Sequence, residues 1–251
     1  MAGALAGKVA VITGVGSETS IGGVAASLFH KEGASIVLSY HSGHESKVGS
    51  SLRGRTVACK VDVRKSDQVE RLIRSALGAF GGIDILCNVA GSPGQKSRVA
   101  ETPEDVFDAV IDVNLRGTFL TMKAVIPHML ERGGGSIINI ASTAALIGVP
   151  TLGAYSAAKA AVVGLSKVAA VEYGADKIRT NVICPGVIKT PMYDAAAAGN
   201  SDLIEYLTGL IPMGRVGTPA EVAEAMLYLA SDRSSYVNGV VLPVEGGQTI
   251  A

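Results

Sequence analysis

An excess of charge of either sign is missing from this chain: 22 basic side chains meet 22 acidic ones, the formal net charge is zero, and no block of like charges occurs. That balance withholds the electrostatic footprint of a protein bound to nucleic acid or to a membrane of anionic lipid, so a small-molecule partner is expected. Cysteine is scarce. Cys59, Cys87 and Cys184 are odd in number, far apart and set in apolar runs such as VACKV and DILCNV, a pattern that excludes a disulfide framework and reads as buried free thiols in a reducing, cytoplasmic compartment. The N-terminal MAGALAGKVAVITG has no basic region ahead of its short apolar stretch, so no signal peptide is expected. The longest charge-free interval, residues 133–158, carries Asn139, Ser142, Thr143, Pro150 and Thr151, content that a membrane helix tolerates poorly. Of the four histidines only His41 and His44 lie near each other, in a polar loop, and no catalytic metal is expected. No linker rich in Pro, Ser or Gly divides the chain, and no repeat of solenoid length occurs.

What is present is apolar and periodic. A chain of 251 residues that is 48% hydrophobic and 18% charged can bury one large core. Short β-rich runs at 8–13, 34–39, 56–62, 83–90, 136–142, 178–185 and 240–245 alternate with helical stretches at 21–32, roughly 43–52, 66–80, 103–131, 153–174 and onward to about 230. Strands this apolar need cover on both faces, and strands separated by helices run parallel through right-handed crossovers. The fold class expected is α/β: a single doubly wound Rossmann-type domain of about seven parallel strands with helices on both faces. Residues 186–218 break the alternation and are expected to form a substrate loop.

After the first strand comes TGVGSETSIGG, residues 13–23. Its Gly14, Gly16 and Gly22, ahead of a helix starting near Ile21, would let the backbone approach a pyrophosphate at a helix N-terminus. Scattered glycines make such turns common, so the position between strand and helix carries the reading. Downstream lie Asn114, Ser142, Tyr155 and Lys159; the last two are four apart and share one helix face.

Read together, TGVGSETSIG, Asp62-Val63, NVAG at 88–91, Asn114 in DVNLRG, Ser142 thirteen residues before Tyr155, YSAAK at 155–159 and CPGVIKTPM at 184–192 resemble the short-chain dehydrogenase/reductase family, over nearly the whole chain. The resemblance implies that Tyr155 is the general acid in carbonyl reduction and the general base in alcohol oxidation. A phenol of pKa ~10 needs about 4 kcal/mol of differential stabilisation to move three units down, which Lys159 is placed to supply while burial opposes it. Ser142 would hydrogen-bond the substrate oxygen. Asn114 would hold a water that links Lys159 to solvent, and Lys159 would also grip the nicotinamide ribose. By the same resemblance the coenzyme would lie along Gly14, Gly16, Ser17, Ser20, Ile21, Tyr40, His41, Ser42, Asp62, Val63, Asn88, Ala90, Gly91, Tyr155, Lys159, Pro185, Gly186, Ile188 and Thr190. Thr143, Ala144, Leu152, Met192 and Tyr193 would line an apolar substrate pocket.

The chain departs from the family pattern in two places. Five residues separate Gly14 from Ser20, and Ser20 stands where the middle glycine is usual; this longer loop looks like that of the enoyl-thioester reductases, a branch of the same family. Their Tyr is followed by a Lys seven positions later, however, and position 162 here is Val, so the four-residue spacing of carbonyl and alcohol chemistry decides. NVAG replaces the commoner NNAG, with little consequence expected.

Members that use NAD place a carboxylate at the end of the second strand to bind the ribose hydroxyls and repel a 2′-phosphate. That position is Tyr40 here, followed by His41 and Ser42, and the expectation is NADP, with NAD as the alternative. The function expected is hydride transfer between this coenzyme and a ketone or secondary alcohol. A 3-oxoacyl thioester reductase is the enzymatic alternative, with Arg98 and Arg116 as its candidate entrance cations; a non-catalytic nucleotide sensor is the alternative of another class, opposed by the intact Ser142, Tyr155 and Lys159. The resemblance also implies a homotetramer built on the helices near 103–131 and 153–174 and on the last strand.

Overall fold

A computed structural model describes residues 3–41, 48, 52 and 54–251; the backbone, but not the side chain, of Ala196 is included. Seven strands form one sheet: β1 (Val9–Ile12), β2 (Ser35–Tyr40), β3 (Thr56–Lys60), β4 (Ile85–Asn88), β5 (Gly135–Ile140), β6 (Ile178–Pro185) and β7 (Val241–Val244). Their order is β3-β2-β1-β4-β5-β6-β7 and every pairing is parallel. The helices are α1 (Ile21–Lys31), α2 (Ser66–Phe80), α3 (Glu104–Ile111), α4 (Gly117–Arg132), α5 (Gly153–Tyr173), α6 (Pro191–Ala197), α7 (Ser201–Gly209) and α8 (Pro219–Ala230). The doubly wound arrangement expected from the alternation is therefore present. The helix expected near 43–52 lies outside the described residues, Val48 and Leu52 excepted.

Successive side chains of a strand face opposite sides of the sheet, and the core divides accordingly. Ala10, Ile12, Ile36, Leu38, Ile138 and Ile140 pack under α1 and α8, with Phe29 and Met226 filling the layer. Val11, Val37 and Ile137, offset by one residue, pack under α2, α4 and α5 with Leu72, Val125 and Met129. A one-residue slip of any central strand would exchange these two sets and leave neither layer filled.

The stretch expected as one helix over 103–131 is broken. Between α3 and α4 the residues Asp112–Arg116 form a π-turn that contains Asn114, an insertion of the kind that recurs at functional sites. The expected loop at 186–218 carries α6 and α7, each opened by a side-chain cap, Thr190 on the amide of Tyr193 and Asn200 on that of Leu203. All three cysteines are free; Cys87 and Cys184 are buried as expected, whereas Cys59 on the edge strand β3 is only half-buried. Among the described residues one helix, α5, is long and apolar enough by composition to cross a membrane; here it packs on β6 and encloses a buried lysine.

Candidate active site

The sheet order reverses direction between β1 and β4, and in open α/β sheets the crevice beyond the strand ends at that point is where ligands bind. The loop after β1 is fitted to this place by its glycines. Gly14 has φ +72°, and a Cβ there would overlap the backbone of Ala90, so only glycine allows β1 and β4 to deliver their loops side by side. At Gly16 an added Cβ would meet nothing within 4 Å, leaving an exposed cradle at the mouth of the crevice.

Ser20, standing in for a glycine, is the N-cap of α1: its hydroxyl donates to Ser17 O at 2.7 Å and accepts from Gly23 N at 3.1 Å. Val24 N is taken by Ser20 O, so the amides of Ile21 and Gly22 remain for an anion. Gly23, which the sequence pattern did not single out, is needed because a Cβ there would overlap Ser17 O. Ser17 itself shares a 3.3 Å hydroxyl contact with Thr19. The donor set, the open cradle and the absence of an acidic residue in the first turn of α1 fit a pyrophosphate.

Beyond β2 and β3, Tyr40 is half-buried, His41 stands 3.7 Å from Asp62, and Val63 packs beneath the α4 residue Gly117. Ser42 lies outside the described residues. Asn88 is buried and wholly engaged in the interior: it donates to Asn139 at 2.8 Å and accepts from Thr121 at 2.7 Å, while Asn139 continues to Ser166 at 2.8 Å. This chain ties β4, β5, α4 and α5 together below the crevice. Ala90 and Gly91 follow at the surface of the crevice, and an added Cβ at Gly91 would come within 2.7 Å of Asn114 Oδ1 and 3.2 Å of Lys159 Nζ. Those two side chains therefore face one point.

Asn114 is fully buried at the π-turn, donating to Ser92 O at 2.8 Å and Val110 O at 2.9 Å and accepting from Ser92 N at 3.3 Å. Ser142 ends the β5 segment, caps a short turn by accepting from Ala144 N at 3.2 Å, and faces the phenol of Tyr155. Lys159, one turn along α5 from Tyr155, is buried, donates to Ile140 O at 2.8 Å and holds its ammonium 5.6 Å from the Tyr155 ring centroid. The four residues Asn114, Ser142, Tyr155 and Lys159 thus converge.

Their electrostatics differ from the expectation in one respect. Burial raises the Tyr155 phenol above its ordinary value, and the Ser142 hydrogen bond pulls it back only in part. Lys159 is itself desolvated, which brings its ammonium down to about 8. Cys184, on β6 beside them, is pushed up to about 11 by burial although Ser142 and Lys159 act the other way.

Around this centre, Pro185 closes β6, and Gly186 approaches Glu245 so closely that a Cβ would lie 2.7 Å from its side chain. Ile188 turns its side chain into the core, its backbone bridging Gly217, and Thr190 caps α6. Of the expected pocket residues, Thr143 and Ala144 are buried behind Ser142, Leu152 is half-buried and bridged to Ser97, Tyr193 is half-buried and Met192 is exposed on α6. Thr151, just before α5, has φ +68°, a strained conformation for a β-branched residue, and its carbonyl accepts from Ser97 N at 3.1 Å.

A family model described as enoyl-(acyl carrier protein) reductase matches residues 14–249. Among curated relatives, the 2,5-dichloro-2,5-cyclohexadiene-1,4-diol dehydrogenase of Sphingobium indicum is 39% identical over 98% of both chains. The 3-oxoacyl-(acyl-carrier-protein) reductase of Thermotoga maritima is 37% identical over 98% of this chain and 99% of its own. Among solved structures, levodione reductase superposes with a TM-score of 0.92 at 32% identity, over 98% of this chain and 99% of its own. The chain belongs to the short-chain dehydrogenase/reductase family. As a member it is an oxidoreductase of alcohols and carbonyl compounds that works with a nicotinamide coenzyme. When bound, that coenzyme supplies or accepts the hydride and, oxidised, brings a positive charge to the site.

Proposed function

We propose that Tyr155 is the proton donor and acceptor for hydride transfer between a nicotinamide coenzyme and a ketone or secondary alcohol. The observation that carries this reading is the half-buried Tyr155, its phenol facing Ser142 with the Lys159 ammonium 5.6 Å from its ring. The raised phenol is protonated at neutral pH, so it is ready to donate to a carbonyl oxygen, and the opposite direction gains as pH rises. Ser142 hydrogen-bonds the same oxygen, Lys159 holds the nicotinamide ribose and the proton reserve, and Asn114, facing Gly91 together with Lys159, anchors the relay.

The coenzyme runs from the Gly14–Ile21 loop past Tyr40, His41, Asp62 and Val63, over Ala90 and Gly91, to Pro185, Gly186, Ile188 and Thr190. Asn88 supports it from below through its buried network. NADP is the coenzyme we assign, because Tyr40 and His41 close β2 without a carboxylate. The whole chain acts as a single coenzyme-binding and catalytic domain, with residues 186–218 as the substrate loop. The substrate is a cyclic secondary alcohol or its ketone, held among Thr143, Ala144, Leu152, Met192 and Tyr193; the ring named in the Sphingobium relative supports that class. A 3-oxoacyl thioester is the second reading, favoured by the Thermotoga relative and by the exposed Arg98 and Arg116.

We further assign a homotetramer, on the exposed Phe107, Phe119, Val168 and Val171 of α3, α4 and α5, and a cytoplasmic setting, on the three free thiols. Light scattering tests the first. Coenzyme oxidation is followed at near-ultraviolet wavelengths with cyclic ketones and 3-oxoacyl thioesters under NADPH and NADH. Tyr155→Phe should lower kcat by at least about a thousandfold while coenzyme affinity stays within about threefold. Retained turnover in that variant would refute the assignment.

A further inference from the structure

The segment between β6 and α8 leaves the sheet and returns to it at one place. Its first foot is Gly186: the backbone N–H donates to Val244 O at 3.1 Å, and an added Cβ would lie 2.7 Å from the Glu245 side chain and 3.0 Å from Gln248 Oε1. Its second foot is the run 211–213. Met213 N donates to Gly246 O at 3.1 Å, a Cβ on Gly246 would come within 2.7 Å of Ile211 Cγ2, and one on Gly247 would lie 3.0 Å from Pro212 Cγ. The two arms of the segment are also joined to each other, Lys189 N to Gly217 O at 2.8 Å and Gly217 N to Val187 O at 2.9 Å. Residues 245–248, just past β7, therefore seat both feet.

We propose that Glu245 is a positioning residue for substrate binding: its carboxylate folds the turn on which both ends of the substrate loop rest, and so sets the fraction of molecules that hold the loop over the substrate. This rests on the role proposed above for residues 186–218. Gly246 and Gly247 have φ +67° and +92°, a conformation that glycine enters and leaves freely. The carboxylate holds them there. Glu245 Oε1 accepts from Gly247 N at 3.1 Å and Oε2 from Thr249 N at 2.7 Å, two charge-assisted bonds made by one half-buried side chain. Neither amide has a backbone acceptor among the described residues, so nothing else in the main chain fixes the turn.

An acidic residue ahead of a glycine pair ordinarily shapes its own turn and nothing more. Here Gly186 and Ile211–Met213 rest on that turn, so freedom gained at 245–249 passes to both feet at once. The helix α7, between the feet, buries none of its residues, and packing along the loop therefore does little to hold it. With about a tenth as many molecules holding the loop docked, substrate binds about tenfold more weakly, while bound substrate reacts at an unchanged rate.

Steady-state kinetics and native-state proteolysis of the full chain test the proposal together. Glu245→Ala should raise KM for a cyclic ketone about tenfold with kcat within about threefold, and chymotrypsin should cut at Tyr193 and Tyr206 about tenfold faster than in wild type. Affinity for 5′-AMP, measured by titration calorimetry, should stay within about twofold, because the adenosine end of the crevice does not touch this turn. Glu245→Asp keeps two acceptor oxygens beside the turn and should bring KM and cutting rate back to within about threefold of wild type. Unchanged KM and cutting in Glu245→Ala, or Glu245→Asp as impaired as Glu245→Ala, overturns the proposal. A parallel loss of 5′-AMP affinity also overturns it, since the carboxylate would then support the whole fold. Wild type that reduces no ketone overturns the hydride-transfer reading, and the cutting rates then decide on Glu245 by themselves.

Discussion

Replacing Lys159 by Met should stabilise the fold at neutral pH and much less so at pH 10. The ammonium is buried and its titration is displaced from 10.5 to about 8 by desolvation. A base whose value falls on folding binds protons less readily in the native state. The penalty is therefore complete below about 8, shrinks as the pH rises toward 10.5, and disappears above it. The displacement corresponds to about 3 kcal/mol at pH 7 and about 1 kcal/mol at pH 10. Against this, Ile140 O loses the 2.8 Å donor, a loss of about 1 kcal/mol that does not vary with pH.

The variant should thus gain about 2 kcal/mol at pH 7 and change little at pH 10, while turnover is abolished. Urea unfolding of both proteins at the two pH values and one protein concentration gives the double difference, from which groups titrating alike in both cancel. An equal stability change at the two pH values would refute a desolvated, displaced ammonium.

Thr151→Gly should raise the melting temperature, because φ +68° strains a β-branched residue by about 1 kcal/mol; a lower melting temperature would count against strain at that turn. Gly91→Ala would press a methyl group within 2.7 Å of Asn114 Oδ1 and 3.2 Å of Lys159 Nζ; steady-state kinetics should show kcat reduced at least about tenfold, and unchanged kcat would show that the two side chains yield freely. Asn139→Ala removes the acceptor of the Asn88 side-chain N–H and the donor to Ser166 in the interior and should cost about 3 kcal/mol in urea unfolding; a loss below about 1 kcal/mol would mean the network is loosely made.

Much of the fold was legible because its signals are local. Apolar runs of strand length, separated by helical stretches, leave little choice but parallel strands covered on both sides, and the offset sets Ala10/Ile12 and Val11 filled the two layers as that pattern requires. The candidate catalytic residues were legible through the family resemblance of their motifs, and spacing fixed one relation among them: Tyr155 and Lys159 share a helix face whatever the helix packs against. Helix continuity over 103–131 misled, since a π-turn is a backbone event stabilised by the distant Ser92 accepting from and donating to Asn114, and no residue type announces it.

The sequence by itself determined the layers, the strand direction and the placing of Tyr155 and Lys159 on one helix face, all of which follow from periodicities of two and of about four residues that any folded context preserves. Only the tertiary structure decided the electrostatic state of that pair and the use of the charges at the crevice. Desolvation and Coulomb effects depend on what surrounds a group in three dimensions. Lys159 loses its water to α5 and β5 packing, and the Asp62 carboxylate is engaged on both oxygens by an arginine that, in one dimension, is merely the next residue but one.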